Sequence, residues 1–271
     1  MLVMLAPTFD GSPEAYARLA QTTGMVAYDL RARLKPGVWG IVRALADEAQ
    51  AVDLARRLRA DGFPVFVVPR EVAHDANRRI VTIRALELGE QEMVLHLRER
   101  AMPIPFGALS CIVRGEVILG QAPARGMTPS SSTFRAVAPS TNELQVFRES
   151  VSASNFEAFA AADLHFATVL WVARIDARSF EFSAFGARSE SPAADLDRLV
   201  DAIAARTGVR VDRGVRSSSV VSALAQTPGR SLAPNSAAPR SRESQGDERF
   251  DPYSRVIGEA ERLFAQTSKT A

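Results

Sequence analysis

A single cysteine, Cys111, stands in a chain of 271 residues. No internal disulfide can form, and the paired-thiol spacings of structural zinc sites are absent. Cys111 lies in "LSCIV", with apolar neighbours and no basic residue before Arg114. A reactive thiolate needs electropositive, partly exposed surroundings, so burial in a core is the expectation. Lysine is almost as scarce: Lys35 and Lys269 are the only two. The basic side of the chain is therefore arginine. Through Arg213 there are 25 Lys and Arg against 25 Asp and Glu, so the formal charge of +2 and the pI near 9.0 arise from the remainder. A neutral body with a mildly basic extension is a poor electrostatic footprint for nucleic acid. No apolar run approaches the roughly 18 residues of a membrane span, and "MLVMLAPTFDG" has neither the basic segment nor the apolar length of a secretion signal. A soluble, cytoplasmic protein is expected. Also missing are a G-x-S-x-G elbow, a G-x-x-x-x-G-K-[ST] phosphate loop and a G-x-G-x-x-G fingerprint.

What is present divides into four stretches. In the first, over 1–71, "LVMLA" reads as a short buried strand. "SPEAYARLAQTTG" reads as a helix with Ser12 as N-cap, Pro13 at the first helical position and Gly24 as the stop. Val26, Leu30 and Leu34 recur at helical spacing until Pro36-Gly37. "VWGIVRAL" alternates as a strand should. "DEAQAVDLARRLRADG" carries Asp47 and Glu48 in its first turn and arginines near its end, the distribution the helix dipole favours. "FPVFVVP" closes the block as a strand, with Leu54, Leu58, Phe63, Val65 and Val67 in the expected core. This β-α-α-β-α-β order, with "AYDLRARL" before the second strand and "AVDLARRLRADGFPVFVV" after it, resembles the C-terminal domain of ribosomal protein L7/L12; the ClpS adaptor is similar in fold. Both resemblances imply a docking module without catalysis. The lysine-rich helical face of the L7/L12 domain has no counterpart here, so its ribosomal partners do not carry over.

The second stretch, 79–213, reads as successive strands: "IVTIRALEL", "EMVLHLR", "GALSCIVRGEVIL", "TFRAVA", "ELQVF", "LHFATVLWVARID" and "SFEFSAFG". The helix "SPAADLDRLVDAIAARTG" closes it, with Leu196, Leu199, Val200 and Ile203 on one face. Strands followed by one helix imply an α+β domain or a small barrel plugged by that helix. The pattern, including "IPFGALSCIV" after a hairpin, looks similar to a pleckstrin-homology or GRAM-like barrel. That resemblance would imply contact with anionic lipid, but the loop "LGEQE" is acidic where a basic one is wanted.

The third stretch, 214–249, is Ser, Pro, Ala, Gln and Arg, and cannot bury enough apolar surface to offset its chain entropy. A disordered linker is expected, with the serine run "VRSSSVV" beside Arg213 and Arg216. A second run, "GMTPSSSTF", falls in a long loop of the β-rich domain. Phosphate on either would meet nearby arginines; an unmodified polar linker is the simpler reading. The fourth stretch, 250–266, restores helical spacing through Phe250, Tyr253, Val256 or Ile257, Ala260, and Leu263 or Phe264, with Asp251-Pro252 at its start. An isolated helix this short is marginal in water and needs a surface. Phe250, Tyr253, Ile257 and Phe264 are the residues expected to bind it there, on this protein or on a partner, and recruitment of a partner is preferred.

The overall fold class expected is α+β. The chemistry is thin: Asp163 and His165 share one face of an extended "DLHF" and could serve as metal ligands or an acid/base pair, but no second cluster at ligand spacing accompanies them. His74 falls in a polar connection and His96 on the solvent side of a strand. No cofactor and no metal are expected. Two readings follow. The first is a non-catalytic adaptor or scaffold that binds a protein partner. The rival is an enzyme or small-ligand sensor with Asp163, His165 and Asp176 in a cleft of the β-rich domain, and a concave pocket with converging polar groups would mark it.

Overall fold

Strand β1 (Leu2–Leu5) has no exposed position along its length, the mark of a central strand covered on both faces. The computed structural model, which describes residues 1–120, 156–185, 191–214 and 250–268, places it between β2 (Gly40–Ala44) and β3 (Val65–Val68), antiparallel to both. Helices α1 (Pro13–Thr23) and α2 (Ala27–Arg33) link β1 to β2, and α3 (Glu48–Ala60) carries the chain over β1 to β3. The β-α-α-β-α-β order is thus realised, its last part a split β-α-β unit. The caps of α1 form as the sequence directs: Ser12 accepts from the Ala15 amide at 3.1 Å and Gly24 ends the helix in the left-handed region. Asp47, expected in the first turn of α3, is instead its N-cap and accepts from the Ala49 amide at 2.8 Å. Val3, Leu5, Val42 and Val65 face the three helices and join Leu19, Leu54 and Leu58 in one apolar cluster. Residues of opposite parity, Met4, Ile41 and Phe66, are buried as well, so a second layer must cover the far face.

The β-rich region forms two sheets. One is five-stranded in the order β11-β8-β9-β10-β4, from β4 (Ile80–Ile83), β8 (Leu109–Gly120), β9 (Phe156–Phe166), β10 (Val172–Asp176) and β11 (Arg210–Asp212). The other is the meander β5 (Ala85–Leu88), β6 (Glu92–His96) and β7 (Ala101–Pro105). Helix α4 (Pro192–Thr207) supplies Leu196, Leu199, Val200 and Ile203 to their shared core. Among the described residues no closed barrel forms, which corrects the barrel expectation. The run "IVTIRALEL" is two strands in different sheets, broken where the Arg84 amide donates to the His96 carbonyl at 2.7 Å. The outer strands β4 and β11 both pair in parallel with their neighbours, so the five-stranded sheet is mixed, with β11 and β4 at its edges among the described residues.

Other expected elements also change. "LHFATVLWVARID" holds parts of two strands, because the turn between β9 and β10 is itself apolar, with Val169 37% and Leu170 53% exposed. "SFEFSAFG" is not a strand but a 3-10 turn over Phe182–Phe185. Its Phe180 and Phe182 rings lie 4.9 Å apart and fill the core instead of joining a ladder. β7, carrying Pro103 and Pro105, takes an edge, where a missing amide costs no ladder bond. The expected strands "TFRAVA" and "ELQVF", both serine runs and the linker from residue 215 onward lie outside the described residues.

The missing second layer is helix α5 (Phe250–Ser268). It belongs to the same compact unit as both sheet systems, a unit comprising Met1–Val117 and Phe159–Ala271. Its Phe264 ring lies 5.7 Å from Phe66 and 6.3 Å from Trp39, on the face of the N-terminal sheet away from α1, α2 and α3. No helix among the described residues is long and apolar enough to cross a membrane.

Candidate functional site: a polar seam under the C-terminal helix

Helix α5 begins where Asp251 and Pro252 predict, and Phe250, Tyr253, Val256, Ile257 and Ala260 are all 0% exposed. An ordinary amphipathic helix would turn only such residues inward. This one also buries Ser254, Glu259 and Glu261. Polar groups out of water must find partners or cost stability, and the partners come from β9, β10, β11 and the segments just before β2 and β4.

At the N-terminal end of α5, Asp163 on β9 and Arg174 on β10 are opposite in register. Arg174 forks onto Asp163, with Nε to Oδ1 and Nη2 to Oδ2 both at 2.7 Å. Its remaining nitrogen, Nη1, meets Asp251 of α5 at 2.8 Å, and its guanidinium lies over the Phe250 ring, 5.0 Å from the centroid. Burial raises the Asp163 carboxyl pKa, but the Arg174 charge and hydrogen bonds outweigh burial and hold it below its ordinary value. For Asp251 burial prevails over Arg174, and its pKa is raised.

Ser254 Oγ sits between Asp163 Oδ2 at 2.6 Å and His165 Nε2 at 2.8 Å. Ser254 has one proton to give, and ionised Asp163 can only accept. The hydroxyl therefore donates to Asp163 and accepts from a protonated His165 Nε2. Burial foremost, with Arg78, Arg174 and Arg255 nearby, pushes the His165 pKa down to about 4 against the attraction of Asp163. The ring is neutral at pH 7, with its proton on Nε2. Its other nitrogen lies against the α5 backbone: a Cβ at Gly258 would fall 2.2 Å from Nδ1 and 2.6 Å from Cε1. Gly258 is what lets the helix lie on this ring.

Further along the seam, Tyr253 Oη donates to Asp212 Oδ1 on β11 at 2.6 Å, and Asp212 also accepts from the Gly214 amide at 2.9 Å. Arg78, before β4, donates to Glu259, which is also gripped by Arg262 of its own helix. Glu261 accepts from Trp39 Nε1 at 2.8 Å and from Arg210 Nη1 at 3.0 Å. Trp39, Phe66 and Phe264 complete the end with edge-on ring contacts. One helix thus ties the N-terminal sheet to the five-stranded sheet.

A serine, a histidine and an aspartate within hydrogen-bonding distance invite comparison with a nucleophilic triad, and the details decide against one. In a triad the imidazole accepts the serine proton and the carboxylate orients the imidazole from its far nitrogen. Here the carboxylate takes the serine proton directly, the imidazole donates, and its far nitrogen faces Gly258. All three side chains are buried, with Ser254 and Asp163 at 0% exposure. Asp176 does not join them; it binds Arg178 at 2.8 Å and accepts from the Arg178 amide at 2.9 Å, shaping the turn after β10. Cys111 is buried, and burial, aided by the charges of Glu261 and Asp212, raises its thiol pKa well above the ordinary value. No group of three metal-binding side chains occurs among the described residues. A shallow groove of about 350 Å³ between α3, β3 and the end of α5, lined by Val52, Arg59, Phe66 and Leu263 among others, holds one ionisable side chain.

Phe250, Tyr253 and Ile257 are enclosed by this protein's own body, and Phe264 is partly so. Sequence reasoning found the apolar face and the Asp163–His165 pair but missed Arg174, Arg78, Asp212 and Ser254. One signal was available: a glycine inside a helix costs about 1 kcal/mol relative to alanine and often marks a close approach. Comparison with protein-family models, curated proteins and solved structures finds no match to this chain.

Proposed function

We propose that the protein is a non-catalytic adaptor that works by helix-in-groove recognition, with α5 and the seam beneath it as its interaction element. The observation that carries this reading is the composition of the seam. It joins an aromatic and aliphatic stripe to carboxylates set on arginines at strands of the five-stranded sheet, with Trp39 beside the N-terminal sheet donating to one of them. Such charge pairing fixes the register of a bound helix more than it adds net affinity, because desolvation offsets most of the Coulomb gain. A helix held that way is specifically placed and exchangeable. The β-α-α-β-α-β arrangement of the N-terminal domain agrees with the L7/L12- and ClpS-like docking modules it resembles, as an analogy of fold alone.

The test is affinity capture with the full chain and with Tyr253→Ser/Phe264→Ser. The expected result is a protein partner retained by the first and lost with the second, while β1 and β9 keep their hydrogen-exchange protection. Capture that survives the double change would move the adaptor surface off α5. A chain that retains no protein would overturn the adaptor reading.

A further inference from the structure

We infer that α5 is an acid-released strap: a proton on His165 lifts it off the five-stranded sheet and uncovers the far face of the N-terminal sheet, while the rest of the body stays folded. This goes beyond the adaptor reading, since release is a property of the isolated chain.

The packing separates α5 from both cores. Among the described residues, neither the apolar cluster under α3 nor the one under α4 contains a residue of α5. Its departure therefore opens neither of them. What holds it is its own stripe, Phe250, Tyr253, Val256, Ile257 and Ala260, and the seam. The ion pairs of the seam fix position more than they add stability. A segment held apart from the cores opens locally while they stay closed. Lifting breaks the bond from Trp39 Nε1 to Glu261 and the ring contacts of Phe264 with Trp39 and Phe66.

His165 is where this seat answers to a proton. A Cβ at Gly258 would fall 2.2 Å from Nδ1, so the ring touches the helix backbone. A charge on it has no access to water while α5 is down, and that is costly. The groups facing the ring come from every element packed on it: Asp163 of β9, Arg174 of β10, Arg78 before β4, and Ser254 and Arg255 of α5. Three are cations, and the one anion already accepts from Arg174 and Ser254.

The sign follows from linkage. Seated, the ring is held at a pKa of about 4; freed, it returns toward 6.5. The lifted state binds the proton more tightly, so falling pH favours lifting. Between pH 7 and 5 this raises the ratio of lifted to seated α5 about 20-fold. Asp163 and Glu259, with depressed values, add to release at lower pH. Asp251 and Glu261, with raised values, oppose it.

The test is hydrogen exchange of the full chain at pH 7 and 5, corrected for intrinsic rates, over a series of low urea concentrations. At pH 5 the α5 amides are expected to lose protection and to exchange ahead of those of α3. Low urea should change α5 exchange little and α3 exchange steeply, the mark of a local opening against a global one. His165→Gln, whose amide can donate to Ser254 without titrating, is expected to remove about 20-fold of the α5 change. An equal change in that variant overturns the inference. Should His165→Gln fail to fold, the unaltered chain still decides: α5 and α3 exchanging together with one urea dependence means that the proton acts on the whole fold, and the strap is overturned. A helix that stays down at pH 5 also overturns it and leaves the adaptor reading standing.

Discussion

Helices α3 and α5 lie on opposite faces of one three-stranded sheet and are held by different physics. α3 turns Ala51, Leu54, Ala55 and Leu58 to the sheet and keeps its ion pairs, Asp53 with Arg56 and Arg57, outside in water. α5 adds Ser254, Glu259 and Glu261 to its buried set and leaves a neutral histidine trapped beneath it. Apolar contact is non-directional and scales with area, so the α3 seat contributes stability and tolerates small shifts. Hydrogen-bonded charges are directional and nearly break even on burial, so the α5 seat specifies position. The difference separates a helix held by buried area from one held in a fixed register.

The largest expected effect is at the α5 seat. Asp163→Ala leaves Arg174 buried with only Asp251 opposite, and should destabilise the protein by about 3–5 kcal/mol in chemical denaturation. Replacing Asp163, Arg174 and Asp251 together by Leu, Met and Asn should recover most of that loss, because no charge of this cluster is then stranded. If the triple change is as damaging as the single one, the contrast between the two seats fails. Leu58→Ala, under α3, should cost about 2–5 kcal/mol through lost burial and a residual cavity, with α5 amides still protected to the end of the global transition.

The pH dependence belongs to the α5 seat. His165 is held at a pKa of about 4, below the 6.5 of an exposed histidine. Between those values the unfolded chain binds a proton that the folded chain does not, so stability is full above pH 6.5 and falls as the pH drops toward 4. The loss over that window is about 3 kcal/mol. Asp163, with its depressed pKa, adds to the fall at lower pH, and Asp251, with its raised pKa, opposes it. His165→Asn should flatten the slope of the unfolding midpoint between pH 7 and 5; an unchanged slope would place the titrating group elsewhere. Ser254→Ala should cost about 1–3 kcal/mol, since it strands the His165 Nε2 proton and one Asp163 acceptor. Its marker is a local one: earlier hydrogen exchange in α5 than in α3.

The legible and illegible parts follow the same division. The caps Ser12 and Gly24 act through residues three and four positions away, so they could be read directly. Leu54 and Leu58 repeat at the helical period and named the buried face of α3. The five-stranded sheet was harder. Its register sets Asp163 against Arg174 across an apolar turn that reads as continuous strand, and the parallel return of β11 to β8 involves residues about a hundred positions apart. In α5 the apolar stripe was readable, whereas Glu259 and Glu261 would ordinarily be assigned to water.

By itself, the sequence determined the β-α-α-β-α-β arrangement, the closing helix α4 and an amphipathic helix at the end, because these rest on periodicity and on caps that act within one turn. It also determined that Cys111 would be buried, from its apolar neighbours. Only the tertiary structure decided that α5 lies on its own body, that its acids face Arg78, Arg174 and Arg210, and that His165 is neutral under Gly258. Those facts depend on segments as much as 222 residues apart, as with Trp39 and Glu261. Local chemistry holds no record of which distant charge will meet another; the packing of the sheets settles it.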